Sequence, residues 1–264
     1  MKNNKSLGQH WLKDRLMLEA IVNAAELKKD SVVLEIGPGL GTLTSELLRQ
    51  AKQVIAVEFD EALASKLSGQ FPGKDLTVHH GDILSFDLET LPKNYSAVAN
   101  VPYYITSKIV QALLTATNKP KIAVLLVQKE VAQRIAATPG DMSMLALSAQ
   151  VYAKTSLGVE VDRSYFTPPP EVDSQVIVLK TRQEPLIAIN EQADFFRIAR
   201  AGFGEKRKKL RSSLSGGLHI SKPEVDEILT AVGIPPEARA QELSIEQWHQ
   251  LTDYIVKRKP SSAS

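Results

Sequence analysis

Asn100-Val101-Pro102-Tyr103 sets a side-chain amide, a backbone carbonyl, a rigid imino acid and an aromatic ring within four residues. The chemistry this suits is alkylation of an aromatic amine. An adenine amino nitrogen is a poor nucleophile because its lone pair is delocalised into the ring. If the Asn100 side-chain oxygen and the Val101 carbonyl both accept its protons, the nitrogen moves toward tetrahedral geometry and its lone pair turns toward a sulfonium methyl. Catalysis by such a turn is orientation and electrostatics, with no obligatory protein base, because the methylated amine can lose its proton to water. Pro102 restricts Val101 to an extended conformation that keeps its carbonyl out of helix bonding. Tyr103 supplies a ring for an extruded base, a stack worth about 1–3 kcal/mol. Taken alone, the four residues are also an ordinary strand-end turn.

What precedes them gives the turn weight. Glu35-Ile36-Gly37-Pro38-Gly39-Leu40-Gly41-Thr42 lies between an apolar run and a helical one, where glycines let the backbone turn sharply and approach a ligand. Thr42 stands where a dinucleotide fingerprint needs Gly or Ala, which disfavours NAD. Glu58 closes the next apolar run and Asp82 follows the third, so a ribose diol and an adenine amine each have a carboxylate to meet. Each acid alone reads as a surface residue; acids at successive strand ends mark a ligand crevice.

The elements that must position these groups follow from periodicity. Residues 32–36, 54–57, 76–78, 97–99 and 122–127 read as strands; 42–50, 61–69 and 106–115 read as helices between them, the last capped by Thr106 or Ser107. This alternation predicts an α/β domain with a parallel sheet. After a helix over 129–137, residues 145–161 and 174–181 read as an antiparallel strand pair around Phe166-Thr167-Pro168-Pro169-Pro170. The expected division is a domain over 1–183, a small helical domain over 184–258 and a tail over 259–264.

Composition narrows the chemistry. The 264 residues include no cysteine, which removes disulfides and thiolate ligands, and the five histidines are scattered, so no metal site is expected and an organic cofactor is. No run approaches the roughly 18 apolar residues of a membrane span. Net charge is only +2, yet Arg197 to Arg211 holds seven basic residues against Glu205. Such a cluster suits a polyanion or a solvated helix face equally well.

These residues together resemble the KsgA-type small-subunit ribosomal RNA adenine dimethyltransferases over nearly the whole chain. Leu7-Gly8-Gln9-His10-Trp11-Leu12, Gln128-Lys129-Glu130-Val131, Phe166 to Ser174 and Arg239 to Ser244 are similar to further blocks of that family. The resemblance implies a Rossmann-like class I methyltransferase fold using S-adenosylmethionine, with a small C-terminal helical domain. It implies cofactor contacts at His10, Leu12, Gly37, Gly39, Gly41, Glu58, Asp82 and Asn100, and catalysis by Asn100, Val101, Pro102 and Tyr103 with Phe166 on the far side of the base. It further implies rRNA contacts at Lys206, Arg207, Lys208, Lys209 and Arg211. The implied partner is small-subunit rRNA in a 30S pre-ribosomal particle, met by a cytoplasmic monomer with no membrane contact. The chain departs from the family at position 10, His where Asn is frequent, and over Asp141 to Met144. A large-subunit adenine methyltransferase of the macrolide-resistance type and a non-catalytic nucleic-acid-binding assembly factor are the alternatives.

Overall fold

A computed structural model describes residues 10–205 and 208–258; of the residues singled out above, Leu7 to Gln9, Lys206, Arg207 and the tail lie outside them. Two compact units divide the chain: residues to Ala136 with Tyr152–Arg182, and Ala137–Val151 with the chain from Gln183 on. The stretch 137–151, assigned by sequence to the first domain, thus belongs with the helices.

In the first unit β1 (Trp11–Leu12) leads to α1 (Arg15–Ala24), β2 (Val32–Ile36), α2 (Thr42–Gln50), β3 (Gln53–Glu58), α3 (Glu61–Ser68), β4 (Leu76–His80), β5 (Ser96–Asn100), α4 (Thr106–Thr115), β6 (Ile122–Gln128) and α5 (Lys129–Ile135). The chain crosses α6 (Met144–Gln150) of the second unit and returns as β7 (Ala153–Val161), β8 (Phe166–Thr167) and β9 (Ser174–Thr181). Seven strands form one sheet in the order β4-β3-β2-β5-β6-β9-β7. The first five are parallel, and β9 pairs antiparallel with both β6 and β7. The sequence builds outward from β2 in two directions, through β3 and β4 on one side and β5 and β6 on the other, which opens a crevice at the strands' carboxyl ends.

Local chemistry explains the boundaries. β5 and β6 are buried nearly throughout, as β-branched and apolar runs covered on both faces should be. Helix α1, which the periodicity missed, starts where the Asp14 carboxylate accepts the Met17 N–H at 2.9 Å, and it buries Leu18, Ile21 and Val22. At α4 neither expected cap operates: Thr106 is already helical, and its hydroxyl donates to the Tyr103 carbonyl at 3.2 Å.

The expected strand over 145–161 is two elements. Ser143 accepts the Ala146 N–H at 3.2 Å and caps α6. The run Met144-Leu145-Ala146-Leu147 is made of strong helix formers with no β-branched residue, so propensity and cap outweigh the apolar continuity that suggested a strand.

The second unit adds α7 (Gln192–Phe203), α8 (Leu210–Leu218), α9 (Lys222–Ala231) and α10 (Ile245–Arg258). Trp248, Phe195, Leu210, Leu229 and Leu251 form its fully buried centre. The Trp248 ring stacks on Phe203 at 5.4 Å between centroids. Gly202 faces it so closely that an added Cβ would come within 2.3 Å of the indole.

Candidate active site

The ends of β2, β3, β4 and β5 surround a cavity of about 370 Å³, within the roughly 300–1,000 Å³ of small-molecule sites. Gly37 and Gly39 line it from the β2–α2 turn. Both have positive φ, +64° and +57°, a region costly for residues with a Cβ. A Cβ on Gly39 would lie 3.1 Å from the Trp11 indole nitrogen, while one on Gly37 would meet no atom within 4 Å. The loop therefore packs on one side against β1 and presents bare backbone elsewhere.

Glu58 and Asp82 line the same cavity. The Glu58 carboxylate, nearly buried, accepts the Gly39 N–H at 3.0 Å and the Asp60 N–H at 2.9 Å. It thus fixes the glycine loop and keeps further lone pairs for hydroxyl donors. Asp82 uses one oxygen to accept the Leu84 N–H at 2.9 Å.

Asn100 and Val101 stand at the end of β5. The Asn100 amide nitrogen donates to the His10 carbonyl at 3.1 Å, which fixes the amide's orientation and leaves its oxygen as the free acceptor. Val101 donates its N–H to the Leu126 carbonyl at 3.1 Å, and its own carbonyl accepts no hydrogen bond among the described residues. Pro102 holds the turn at φ −57° and ψ 128°. The Tyr103 hydroxyl hydrogen-bonds the Ser174 hydroxyl at 2.7 Å, and its ring stacks on His10 at 6.1 Å. Burial holds the Tyr103 phenol above its usual range, opposed by Ser174 and reinforced by Asp173; the side chain is a neutral ring. His10 is itself pinned, Nδ1 lying 2.8 Å from the Pro168 carbonyl.

Three residues expected at the cofactor or base stand off this cavity. Leu12 and Phe166 are register partners in the β1–β8 pair and are buried in the hydrophobic core. Successive strand residues face opposite ways, so Trp11 lines the cavity while Leu12 points into the core. Gly41 opens α2 at φ +80°, and a Cβ there would lie 2.7 Å from a Leu67 methyl, so it packs against α3. Of the basic candidates, Lys208 pairs with Glu205 at 2.5 Å, Lys209 with Glu237, and Arg211 with Asp226 at 2.7 Å.

A profile of the ribosomal RNA adenine dimethylase family matches residues 1–257. The chain belongs to that family. A protein of Dehalococcoides mccartyi named ribosomal RNA small subunit methyltransferase A is 46% identical over 95% of this chain and 88% of its own length. Its namesake in Clostridium botulinum is 39% identical over 96% of this chain and 94% of its own. Among solved structures, a Plasmodium falciparum dimethyladenosine transferase superposes with a TM-score of 0.80 at 28% identity, covering 94% of this chain and 98% of that one. A 23S rRNA methyltransferase, ErmE, gives 0.75 at 30%, covering 93% and 99%. Membership in the adenine dimethylase family implies a methyl donor of the S-adenosylmethionine type and a Rossmann-like methyltransferase fold, which the strand order and crevice described above match.

Beyond the expected residues, Glu35 lies buried beside the glycine loop with neither carboxylate oxygen completing a hydrogen bond. Burial, aided by the Glu58 charge and tempered by nearby Thr44, pushes its carboxyl up to about 8. A second, narrow cavity touches Glu35, Gly37, Thr42 and Asn100. The signal was legible: a lone acid inside the apolar strand Val-Val-Leu-Glu-Ile. Ser174 and Trp11 were legible only as parts of quoted blocks. Away from the site, in the second unit, Glu191 and Asp253 converge on His249, at 3.0 and 3.8 Å, a grouping that scattered histidine positions did not reveal.

Proposed function

We propose that this chain uses S-adenosylmethionine to dimethylate the N6 amino groups of two adjacent adenosines near the 3′ end of small-subunit (16S) rRNA, as a cytoplasmic monomer acting on the 30S particle during its biogenesis. The observation that carries the reading is the pair of free acceptors at Asn100 and Val101. The amide is locked by His10, so its oxygen is the atom left for an amine.

The residues present fit the cofactor. Glu35, beside the glycine loop, completes no hydrogen bond, and burial keeps its carboxyl protonated; a cationic ligand end nearby would favour its ionised form. Gly37 leaves room for close approach. Glu58 would take the ribose hydroxyls and Asp82 the adenine amine. Bound there, S-adenosylmethionine supplies an electrophilic methyl and leaves as S-adenosylhomocysteine. Asn100 and Val101 accept the two N6 protons and turn the nitrogen's lone pair outward, and Tyr103 stacks on the target base from its fixed position on Ser174. Phe166 acts through β1: packed on Leu12, it holds His10 and Trp11 at the cavity, a positioning role. An adenine reaches these groups only unpaired or flipped from its stack.

A large-subunit target is the second reading, favoured by the likeness to ErmE at 30% identity; the small-subunit relatives, at 39 and 46%, weigh more. Methyl transfer to undermethylated 30S and 50S particles decides between them. Incorporation confined to 50S would overturn the small-subunit assignment.

The second unit supplies the electrostatic contact in this reading. Lys208 and Lys209 are ion-paired but exposed, and exposed pairs are worth only about 0–1 kcal/mol, so phosphates can replace Glu205 and Glu237. Lys208→Ala with Lys209→Ala is expected to weaken particle binding and to lower the slope of log affinity against log salt by about 1–2. An unchanged slope returns both lysines to the solvated surface.

A further inference from the structure

Tyr104 follows the catalytic turn and is 65% exposed, and it lines the cavity. Its neighbour Tyr103 is held by Ser174 and His10, whereas the Tyr104 side chain makes no hydrogen bond or ring contact among the described residues. Lys108 lies four residues on, in the first turn of α4, and lines the same cavity. Tyr104 reaches the cavity from the short turn before α4 and Lys108 from the helix's first turn, so both border the same space. Its ammonium makes no ion pair among the described residues, and it is the only Lys or Arg among those lining the cavity.

Position in the sheet divides this cavity by charge. Glu58 ends β3 and Asp82 follows β4, on one side of β2; Tyr104 and Lys108 follow β5, on the other. Phosphate is repelled from the first side and drawn to the second. An adenosine presented to Asn100 as part of a chain must bring its neighbours out over the rim, and an exposed aromatic beside an unpaired cation is what single-stranded nucleic acid binds. From this we propose a second nucleotide subsite: the base of a residue flanking the target stacks on Tyr104, and the phosphate joining the two meets Lys108. The inference rests on the adenine methyltransferase reading of the cavity and adds to it the recognition of a dinucleotide rather than one base.

The test crosses protein variants with RNA variants. Wild type, Tyr104→Ala, Tyr104→Trp and Lys108→Met would be titrated, with S-adenosylhomocysteine present, against undermethylated 30S particles carrying a synthetic 3′ rRNA segment. That segment is intact, or abasic on the 5′ or the 3′ side of the target. Tyr104→Ala is expected to weaken binding to intact particles about tenfold, within the range of one stacked base, and Tyr104→Trp to restore it. With the stacked neighbour made abasic, wild type should fall by the same factor and Tyr104→Ala should cost nothing more. Lys108→Met should lower the salt slope by about 0.7, one single-strand phosphate. A Tyr104→Ala loss that is equal on all three RNAs, or absent on all, overturns the subsite. Because binding is read, a wild type that binds with this pattern yet transfers no methyl indicts the activity and leaves the subsite standing.

Discussion

Asn100→Ala is expected to lower the rate of methyl transfer about 10²–10³-fold, the cost of removing one preorganised polar group from a reacting centre, while 30S affinity stays within about threefold of wild type. The two effects separate because they arise from different atoms. The Asn100 oxygen is the acceptor left after its amide nitrogen has been committed to the His10 carbonyl. Loss of that oxygen leaves the Val101 carbonyl as the sole acceptor for the amine, so the lone pair stays in the ring plane's conjugation. In the proposed reading particle affinity comes from phosphate contacts and from stacking of a flanking base, neither of which uses the Asn100 oxygen. Single-turnover methylation and equilibrium binding, measured on one preparation, check the split. Affinity that falls as far as the rate would mean that the turn grips RNA rather than activating it.

The second large effect concerns Glu35. Buried at 1% exposure, its carboxyl is pushed up from 4.5 to about 8. The unfolded chain releases this proton near 4.5, whereas the folded protein keeps it until about 8. Stability from this residue is therefore complete below about 4.5 and declines as pH rises through the window, levelling where both states are ionised. Each pH unit in between costs about 1.4 kcal/mol, so on the order of 4 kcal/mol is lost across it. Glu35→Gln keeps the shape without the charge. From pH 6 to pH 8.5 the wild-type Tm is expected to fall by about 5 °C or more beyond any fall in Glu35→Gln. Parallel profiles for the two proteins would show that Glu35 finds a partner in the folded state.

The sheet was legible because its strands are short β-branched runs between glycine and acid punctuation, and α2 and α4 ended where read because Gly41 and the Pro102 turn mark their starts. What failed did so for identifiable reasons. Helix α6 hid in an apolar run whose Leu and Ala carry no strand preference, and α1 lay in a stretch to which no element had been assigned. Motif matching names positions but not faces: alternation along β1 sends Trp11 to the cavity and Leu12 to the core, and Phe166 follows its register partner inward. Ion pairing was equally hidden, since Glu237 lies 28 residues from Lys209 and Asp226 lies 15 from Arg211. The tetrad and the two strand-end acids, by contrast, came together as expected because parallel strands bring their carboxyl ends to one edge.

The central claim is that the Asn100–Tyr103 turn directs a methyl group to the exocyclic nitrogen of adenine. Purified protein, S-adenosylmethionine and undermethylated 30S particles, followed by mass spectrometry of the digested rRNA, test it directly. The account predicts N6,N6-dimethyladenosine at two neighbouring positions in the wild-type reaction and its loss with Asn100→Ala. Methylation at a ring atom of adenine, or N6-dimethylation undiminished in Asn100→Ala, would contradict it.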